Sequence, residues 1–391
     1  MARRVRTRTV PGRLRDERGA ALVIVLTIVA LLTITVVEFT YSVQLDQHRA
    51  RNALNALQAQ LMARSGVNIA EAFLAHDYEP KFDAFTEDWA LQLQEFCQGV
   101  PLAPGVLLKC DVEDESGKIN VNLTRPPKAA QQPNQDEKRT KDSILRDALE
   151  YLANQYDIKI EELGDRVREY WEEVPATPAP GERTATARVS DFQSIEDFAN
   201  TFQIPKSKLE RLRRVLTAQP AQRLPAINAN TAPPDVLRAV IIGYYGDGDD
   251  VVQRILDRRT EEEAFQDKTQ VAEALADLDD TGGRRSAIGQ ILGVQSNLFR
   301  LQASAITNAD PTGETTAGIG QTLSVLVRRS QLGAAQRGTG DQQQQINWTF
   351  RRLDWQKEPG ARLFREPAED EPEETEDEDG VMDDGRDTLG R

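Results

Sequence analysis

Few side chains in this chain are equipped for catalysis or metal chemistry. Its 391 residues include only two His and two Cys, which removes most zinc sites, haem ligation and His-dependent triads. No nucleophile is patterned with a base and no nucleotide-binding loop is present, so the sequence does not read as an enzyme. Carboxylates are the remaining candidates. Asp247, Asp249 and Asp250 crowd the turn GYYGDGDD from Gly243 to Asp250, and Asp277, Asp279 and Asp280 form a second group. Clustered carboxylates and carbonyl oxygens suit calcium, a hard cation, but neither segment fits an EF-hand loop. A solvated acidic loop accounts for each more simply, and no metal ligands are assigned.

The elements that would position any such group divide by charge. The formal net charge is −15, from 48 Lys and Arg against 63 Asp and Glu. Residues 366 to 391 hold 13 acids and two Arg, and residues 1 to 19 hold seven Arg and two acids. Setting aside that tail of −11 and that leader of +5 leaves −9 for the body. A body of this sign repels a phosphate backbone, which argues against nucleic acid as a partner.

The basic leader runs into the uncharged stretch AALVIVLTIVALLTITVV, Ala20 to Val37, which ends at Glu38 and is about long enough to cross a bilayer. The positive-inside rule keeps the Arg cluster cytoplasmic and sends everything after Glu38 across the membrane. The small residues of a cleavage site precede the apolar run, at Gly19, Ala20 and Ala21. Cutting there leaves the run on the mature protein, unlike an ordinary secretory signal. Beyond Glu38 no breaker occurs until Gly66, and Leu54, Leu57, Leu61, Ile69 and Phe73 recur at helical spacing. The pattern predicts one helix from about Ala20 to about Ala75, roughly 80 Å long at 1.5 Å per residue. Its first half would lie in lipid or among sister helices, its second half on a globular head. A plain single-pass anchor is the alternative for this segment alone.

These features are similar to the type IV pilin and pseudopilin class. ERGAAL, Glu17 to Leu22, looks like a prepilin peptidase site cut after Gly19, which implies a methylated N-terminus at Ala20. The fifth mature residue, Glu in most of the class, is Ile24 here. That departure resembles minor pseudopilins of the GspK type in type II secretion, whose tip position leaves no subunit above to satisfy. Three further segments carry the resemblance: DVEDESGKINVNL from Asp111, the run from Ser194 to Ile241 that contains SIEDFANTFQIPKSKLERLRRVLTAQP and INANTAPPDVLRAVI, and VQSNLFRLQASA from Val294. Together they span most of the chain from Arg18 to about Gln356. The family implies a calcium-binding head, without matching its ligands to positions here.

Export across the membrane allows Cys97 and Cys110 to join in an oxidising periplasm, with two reduced thiols as the alternative. Lacking C-x-x-C spacing, the bond would be structural and would contribute on the order of 3 kcal/mol. Val106 to Val112 and Ile119 to Leu123 read as a hairpin around the Asp114 to Gly117 turn, with Asn120 and Asn122 on one face bonding local backbone. Arg125 to Asn134 and Pro175 to Gly181 read as loops. Lys141 to Gln155, Glu161 to Glu173 and Lys206 to Thr217 carry helical stripes, and Ser194 with Asp197 caps a helix. Leu298 to Ile306, Thr322 to Arg329 and Ile346 to Trp355 suggest an antiparallel sheet against the stem. Gly333 to Gln345 reads as a flexible loop, and the acidic tail is too charged to order itself.

The expected fold is α+β: a pilin-like N-terminal helix packed on an antiparallel sheet, with a large all-helical domain inserted. The expected parts are a leader (1–19), a stem (20–75, spanning the membrane at 20–37), the first part of the head (76–125), the insert (126–293), C-terminal strands (294–362) and a tail (363–391). The resemblance implies a minor pseudopilin at the pseudopilus tip in the inner membrane, head in the periplasm, helping to initiate and cap assembly for protein export. Implied partners are the I- and J-type minor pseudopilins, the major pseudopilin, prepilin peptidase and secreted cargo. Gly19 and Ala20 are the processing candidates, Ile24 the assembly marker, and Cys97 and Cys110 the disulfide. Two alternatives remain. INANTAPPDVL followed by a helix, a turn and Val251 to Arg258 resembles a helix-hairpin-helix of a membrane-anchored DNA-binding protein, although three carboxylates at the phosphate position oppose it and Thr231 as N-cap before Pro233 explains the residue types. The other is a minor pilin of a type IV pilus.

Overall fold

The computed structural model describes residues 17–79, 81–103, 105–126, 140–172, 190–219, 227–261, 264–280, 283–307, 318–331, 348–360 and 363. Most of the leader, most of the Arg125 to Asn134 linker, the Pro175 to Gly181 and Gly333 to Gln345 loops and nearly all of the acidic tail lie outside these residues.

Helix α1 (Glu17–Ala75) is continuous over 59 residues. The β-branched hydroxyl residues in its apolar half do not break it, because Thr27, Thr33, Thr35 and Thr40 each donate to the carbonyl four residues back at 2.8–2.9 Å. After a connecting loop come α2 (Asp88–Phe96), β1 (Gln98–Ala103) and β2 (Val106–Asp114). The chain then runs through a helical region: β3 (Ile119–Asn120), α3 (Lys141–Gln155), α4 (Leu163–Glu172), α5 (Ile195–Thr201), α6 (Leu209–Val215) and β4 (Leu216–Thr217). It continues with β5 (Ile227–Asn228), α7 (Pro234–Tyr245), α8 (Asp249–Glu261), α9 (Lys268–Ala274), α10 (Arg284–Ile291) and β6 (Leu292–Gly293). Three long strands follow, β7 (Leu298–Thr307), β8 (Ile319–Gln331) and β9 (Trp348–Pro359).

The head is an antiparallel five-stranded sheet in the order β1-β2-β7-β8-β9. One residue in two along β2, β7 and β8 faces α1: Leu108, Cys110 and Val112, then Phe299, Leu301, Ala303 and Ala305, then Leu323, Val325 and Val327. The stem meets them with small side chains, Ala59, Ala63, Val67, Ala70 and Leu74, all fully buried. Gly66 sits where helix and sheet approach most closely. A Cβ there would lie 2.7 Å from Ala303 Cβ and 2.9 Å from Leu108 Cδ1, so the packing distance requires glycine. Trp89 and Leu93 of α2 close the same core, and Cys97 and Cys110 are disulfide-bonded beneath the stem.

The helical region leaves and re-enters between neighbouring strands. Asp114, the last residue of β2, is the register partner of Phe299 at the start of β7. The β2 strand therefore does not form the hairpin expected with Ile119 to Leu123. The Asp114 carboxylate instead accepts from Ser116 N at 2.7 Å and starts a 3-10 turn, Glu115–Gly117, and β3 pairs in parallel with β4. Ile119 and Val121 are fully buried in the core of the helical region, with Leu123 packed on it, so residues 119–124 pack with the insert and not with the head.

Within the insert the fold repeats. IN-V-N at 119–122 and IN-A-N at 227–230 each supply a two-residue strand paired in parallel with the residues that end the last helix of that half, β3 with β4 and β5 with β6. In both halves the first Asn side chain accepts from the backbone N of the second, 3.1 Å from Asn122 to Asn120 and 3.0 Å from Asn230 to Asn228. The second Asn then clamps a Phe backbone. Asn122 accepts from Phe192 N at 2.8 Å and donates to Phe192 O at 2.9 Å, and Asn230 does the same with Phe265 at the same two distances. Each Phe lies two residues before a helix N-cap, and the third helical residue reaches back to the backbone N–H just ahead of that cap. Ser194 accepts from Asp197 N while Asp197 accepts from Gln193 N; Asp267 accepts from Gln270 N while Gln270 accepts from Gln266 N. The two halves join through α3 and α7 in one continuous apolar core.

Candidate assembly site

Gly19 and Ala20 lie in the first turn of α1 and are exposed. Ile24 follows one turn later, 59% exposed. Every residue from 19 to 54 is exposed, so the apolar half of the stem packs on nothing else among the described residues. It is the one described helix long and apolar enough to cross a membrane. Among the described residues the exposed large apolar side chains continue along the free face of the stem as Leu54, Leu57 and Leu61, then Tyr78, Phe85, Leu91, Phe96 and Trp355. None is in the insert. Burying such surface is the main driving force for association, and among the described residues it lies on the stem and head.

Around that surface, side chains of the head hold one another in place. Arg64 and Arg352 stack on Trp355 with guanidinium carbons 5.5 and 5.1 Å from the ring centroid. Arg352 also bonds Glu71 and Asn68 of the stem, which fixes β9 against α1.

The junction of stem, sheet and insert is polar and buried. Arg329 of β8 is bracketed by Asp77, at 2.6 Å, and by Asp83, and its guanidinium stacks on Trp348 at 4.2 Å and Phe299 at 4.9 Å. Asp114 accepts from Ser296 Oγ, from Thr231 Oγ1 and from Asn228 Nδ2. Asn228 also reaches Asp83 O at 3.0 Å and Ser296 Oγ at 2.7 Å. Thr231 is therefore not the N-cap of α7; that position is Pro233, and the Thr231 hydroxyl ties the insert to β2. Burial raises the carboxyls of Asp77 and Asp114 above the ordinary range, and pushes Asp83 up to about 6 despite Arg329. Nearby, burial also acts to raise Glu115, but Lys118 and Arg300 outweigh it and hold that carboxyl low.

The acidic turns behave differently from a metal site. Asp247 accepts from Gly248 N at 2.7 Å, Asp249 pairs with Arg238, Asp277 with Arg254, and Asp280 with Arg285. Among the described residues no three His, Cys, Asp or Glu side chains converge in a way that could hold an ion. The α7–α8 turn carries two glycines in the left-handed region, with φ of 82° at Gly246 and 129° at Gly248. Its Gly248 amide is already taken by Asp247, and the carboxylates there would repel a phosphate.

No signal in the sequence pointed to Arg329, Asp77 or Asp83, which are brought together from positions some 250 residues apart. The paired I-N-x-N segments were visible, and their equivalence was the signal that could have disclosed the repeat.

No family model matches the chain. Type II secretion system protein K of Pseudomonas aeruginosa is 28% identical over 291 residues, which is 70% of this chain and 82% of that protein. In fold the chain is similar to a chain of the GspK-GspI-GspJ complex of enterotoxigenic Escherichia coli, with a TM-score of 0.51 and 17% identity over 79% of this chain and 99% of that one. Both matches support a GspK-type minor pseudopilin. The helix-hairpin-helix DNA-binding and type IV pilus readings are not favoured by either. In this chain the duplicated helical region is carried between the neighbouring strands β2 and β7.

Proposed function

We propose that this chain is the minor pseudopilin at the tip of a type II secretion pseudopilus, a structural subunit and not an enzyme. The observation that carries the reading is the match to a K-type protein over four-fifths of that protein's length, joined to the fold match. The distribution of exposed apolar side chains favours a tip position. The stem and head offer surface for neighbours, whereas the insert presents no large exposed apolar side chain among its described residues. A subunit built this way accepts partners beside and below and offers little to one above.

In this reading prepilin peptidase cuts after Gly19, Ala20 becomes the methylated N-terminus, and Ala20 to Val37 anchors the chain in the inner membrane with the head in the periplasm. The I- and J-type minor pseudopilins contact the stem and head. Ile24 replaces the Glu that would otherwise be neutralised by a neighbour's N-terminal amine, a charge pairing of use only in lipid-buried surroundings. The major pseudopilin lies below, and cargo is met at the tip. The test is co-purification of the full-length membrane-extracted protein with its I- and J-type partners, with intact mass of the same sample. A stable complex and a mass starting at methylated Ala20 are expected. An uncut chain that purifies alone would overturn the reading.

A further inference from the structure

Beyond its apolar run the stem changes character. From Gln47 to Ala70 it holds no acid, while Arg49, Arg51 and Arg64 are all exposed. The acids that flank this stretch are engaged: Asp46 lies 3.3 Å from Arg49, with both side chains 70% exposed, and Glu71 bonds Arg352. Lys357 of β9 adds a further cation, its Nζ donating to Gln60 at 2.7 Å. In a chain of net charge −15 this strip is positive. Leu54, Leu57 and Leu61 are exposed along the same turns.

The acidic C-terminal stretch leaves the sheet at the end nearest that strip. Gly360 N donates to Gly320 O at 3.0 Å, Thr322 Oγ1 donates to Gly360 O at 2.8 Å, and Leu363 N donates to Ser304 Oγ at 3.1 Å. At the same end of the sheet Thr307 Oγ1 donates to Asn55 O of the stem at 3.3 Å. Ser304 to Thr307 is about 10 Å along β7, and Asn55 to Arg51 about 6 Å along the stem. The chain from Leu363 to Glu374 can span up to about 40 Å, so the acids that follow Leu363 reach the strip without strain.

We propose that the acidic segment 366–391 docks on the stem of its own chain between Gln47 and Arg64, its carboxylates against Arg49, Arg51, Arg64 and Lys357. With a net charge of −11 it is repelled by a body that carries −9, and the acid-free strip is the stem surface of opposite sign. Each exposed ion pair is weak. Tethering offsets this, because a linked segment meets the stem at an effective concentration on the order of millimolar. Docked there, the segment covers Leu54, Leu57 and Leu61, and any subunit that buries those side chains has to displace it. The docking itself needs no partner, so it is tested independently of the tip assignment.

Arginine footprinting of the full-length protein in a nonionic detergent tests this, with phenylglyoxal as the probe and labelling read residue by residue by mass. At low salt Arg49 and Arg51 should label about threefold to tenfold more slowly in the whole chain than in one stopped after Pro367, the range that exposed ion pairs supply. Arg214, exposed on α6, should label equally in both. The difference should vanish at about 1 M salt, where the Debye length is about 3 Å. It should also vanish when the acids from Glu369 to Asp379 are changed to Asn and Gln. Equal low-salt rates with and without the segment would overturn the docking. So would protection that survives neutralisation of those acids, or protection that grows with protein concentration, which would assign the contact to the segment of a second copy.

Discussion

Replacing Asn230 by Ala is expected to unseat the second half of the insert. Asn230 is buried, its side chain accepting from Phe265 N at 2.8 Å and donating to Phe265 O at 2.9 Å. Phe265 is itself fully buried, so no water replaces the lost partner. Each bond contributes about 1 kcal/mol net, and each stranded buried backbone group costs about 1–3 kcal/mol. Allowing for partial relaxation, Asn230→Ala should destabilise the insert by about 3 kcal/mol. For a unit of this size that lowers the melting temperature by roughly 6–12 °C. Asn122→Ala should cost at least as much, because Asn122 makes the equivalent pair of bonds to Phe192 and a further one to Gln219 O at 3.0 Å. The assay is helical circular dichroism of the full-length protein in detergent on heating, since the insert supplies most of the helix outside the stem. A shift under about 3 °C for both variants, or a large loss in one and none in the other, would refute the reasoning that the two clamps are equivalent fastenings of a repeated unit.

Arg329→Met should lower stability by about 3–5 kcal/mol, because it strands Asp77 and Asp83 without their cation. Adding Asp77→Asn and Asp83→Asn should return most of that loss, as read by denaturant midpoint, and failure of the triple variant to recover would show that charge burial is not the cause. Cys97→Ser, or mild reduction, should cost about 3 kcal/mol for so short a loop, and an unchanged denaturant midpoint with and without reductant would count against a structural bond.

Much of the head was legible from local pattern. A long run without Gly or Pro could only be a stem, and the alternation along β7, β8 and β9 marked strands with one face toward it. The helical stripes of α3 and α4 were equally plain. The segment after β2 was misread because Asp114, Ser116 and the Asn residues at 120 and 122 look like turn and strand-edge residues on either reading. Short-range pattern cannot distinguish an Asn that bonds its neighbours from one that clamps Phe192, 70 residues away. Thr231 before two prolines likewise fits an N-cap, and only the arrival of Asp114 from a distant strand gives its hydroxyl a better acceptor.

By itself the sequence determined what depends on periodicity and charge along the chain: the stem and its apolar half, the acidic charge of the C-terminal stretch and the α+β composition. These are one-dimensional properties, set by spacing and by the length an apolar run needs to cross a bilayer. The tertiary structure alone decided which distant residues share a site. It placed Asp77 and Asp83 on either side of Arg329, brought Gly66 against Ala303, and folded two I-N-x-N segments into matching clamps. The physical reason is that a buried polar group takes its partner from whichever backbone or side chain packing delivers to it. That choice is made by the whole core at once and leaves no periodic mark on the chain.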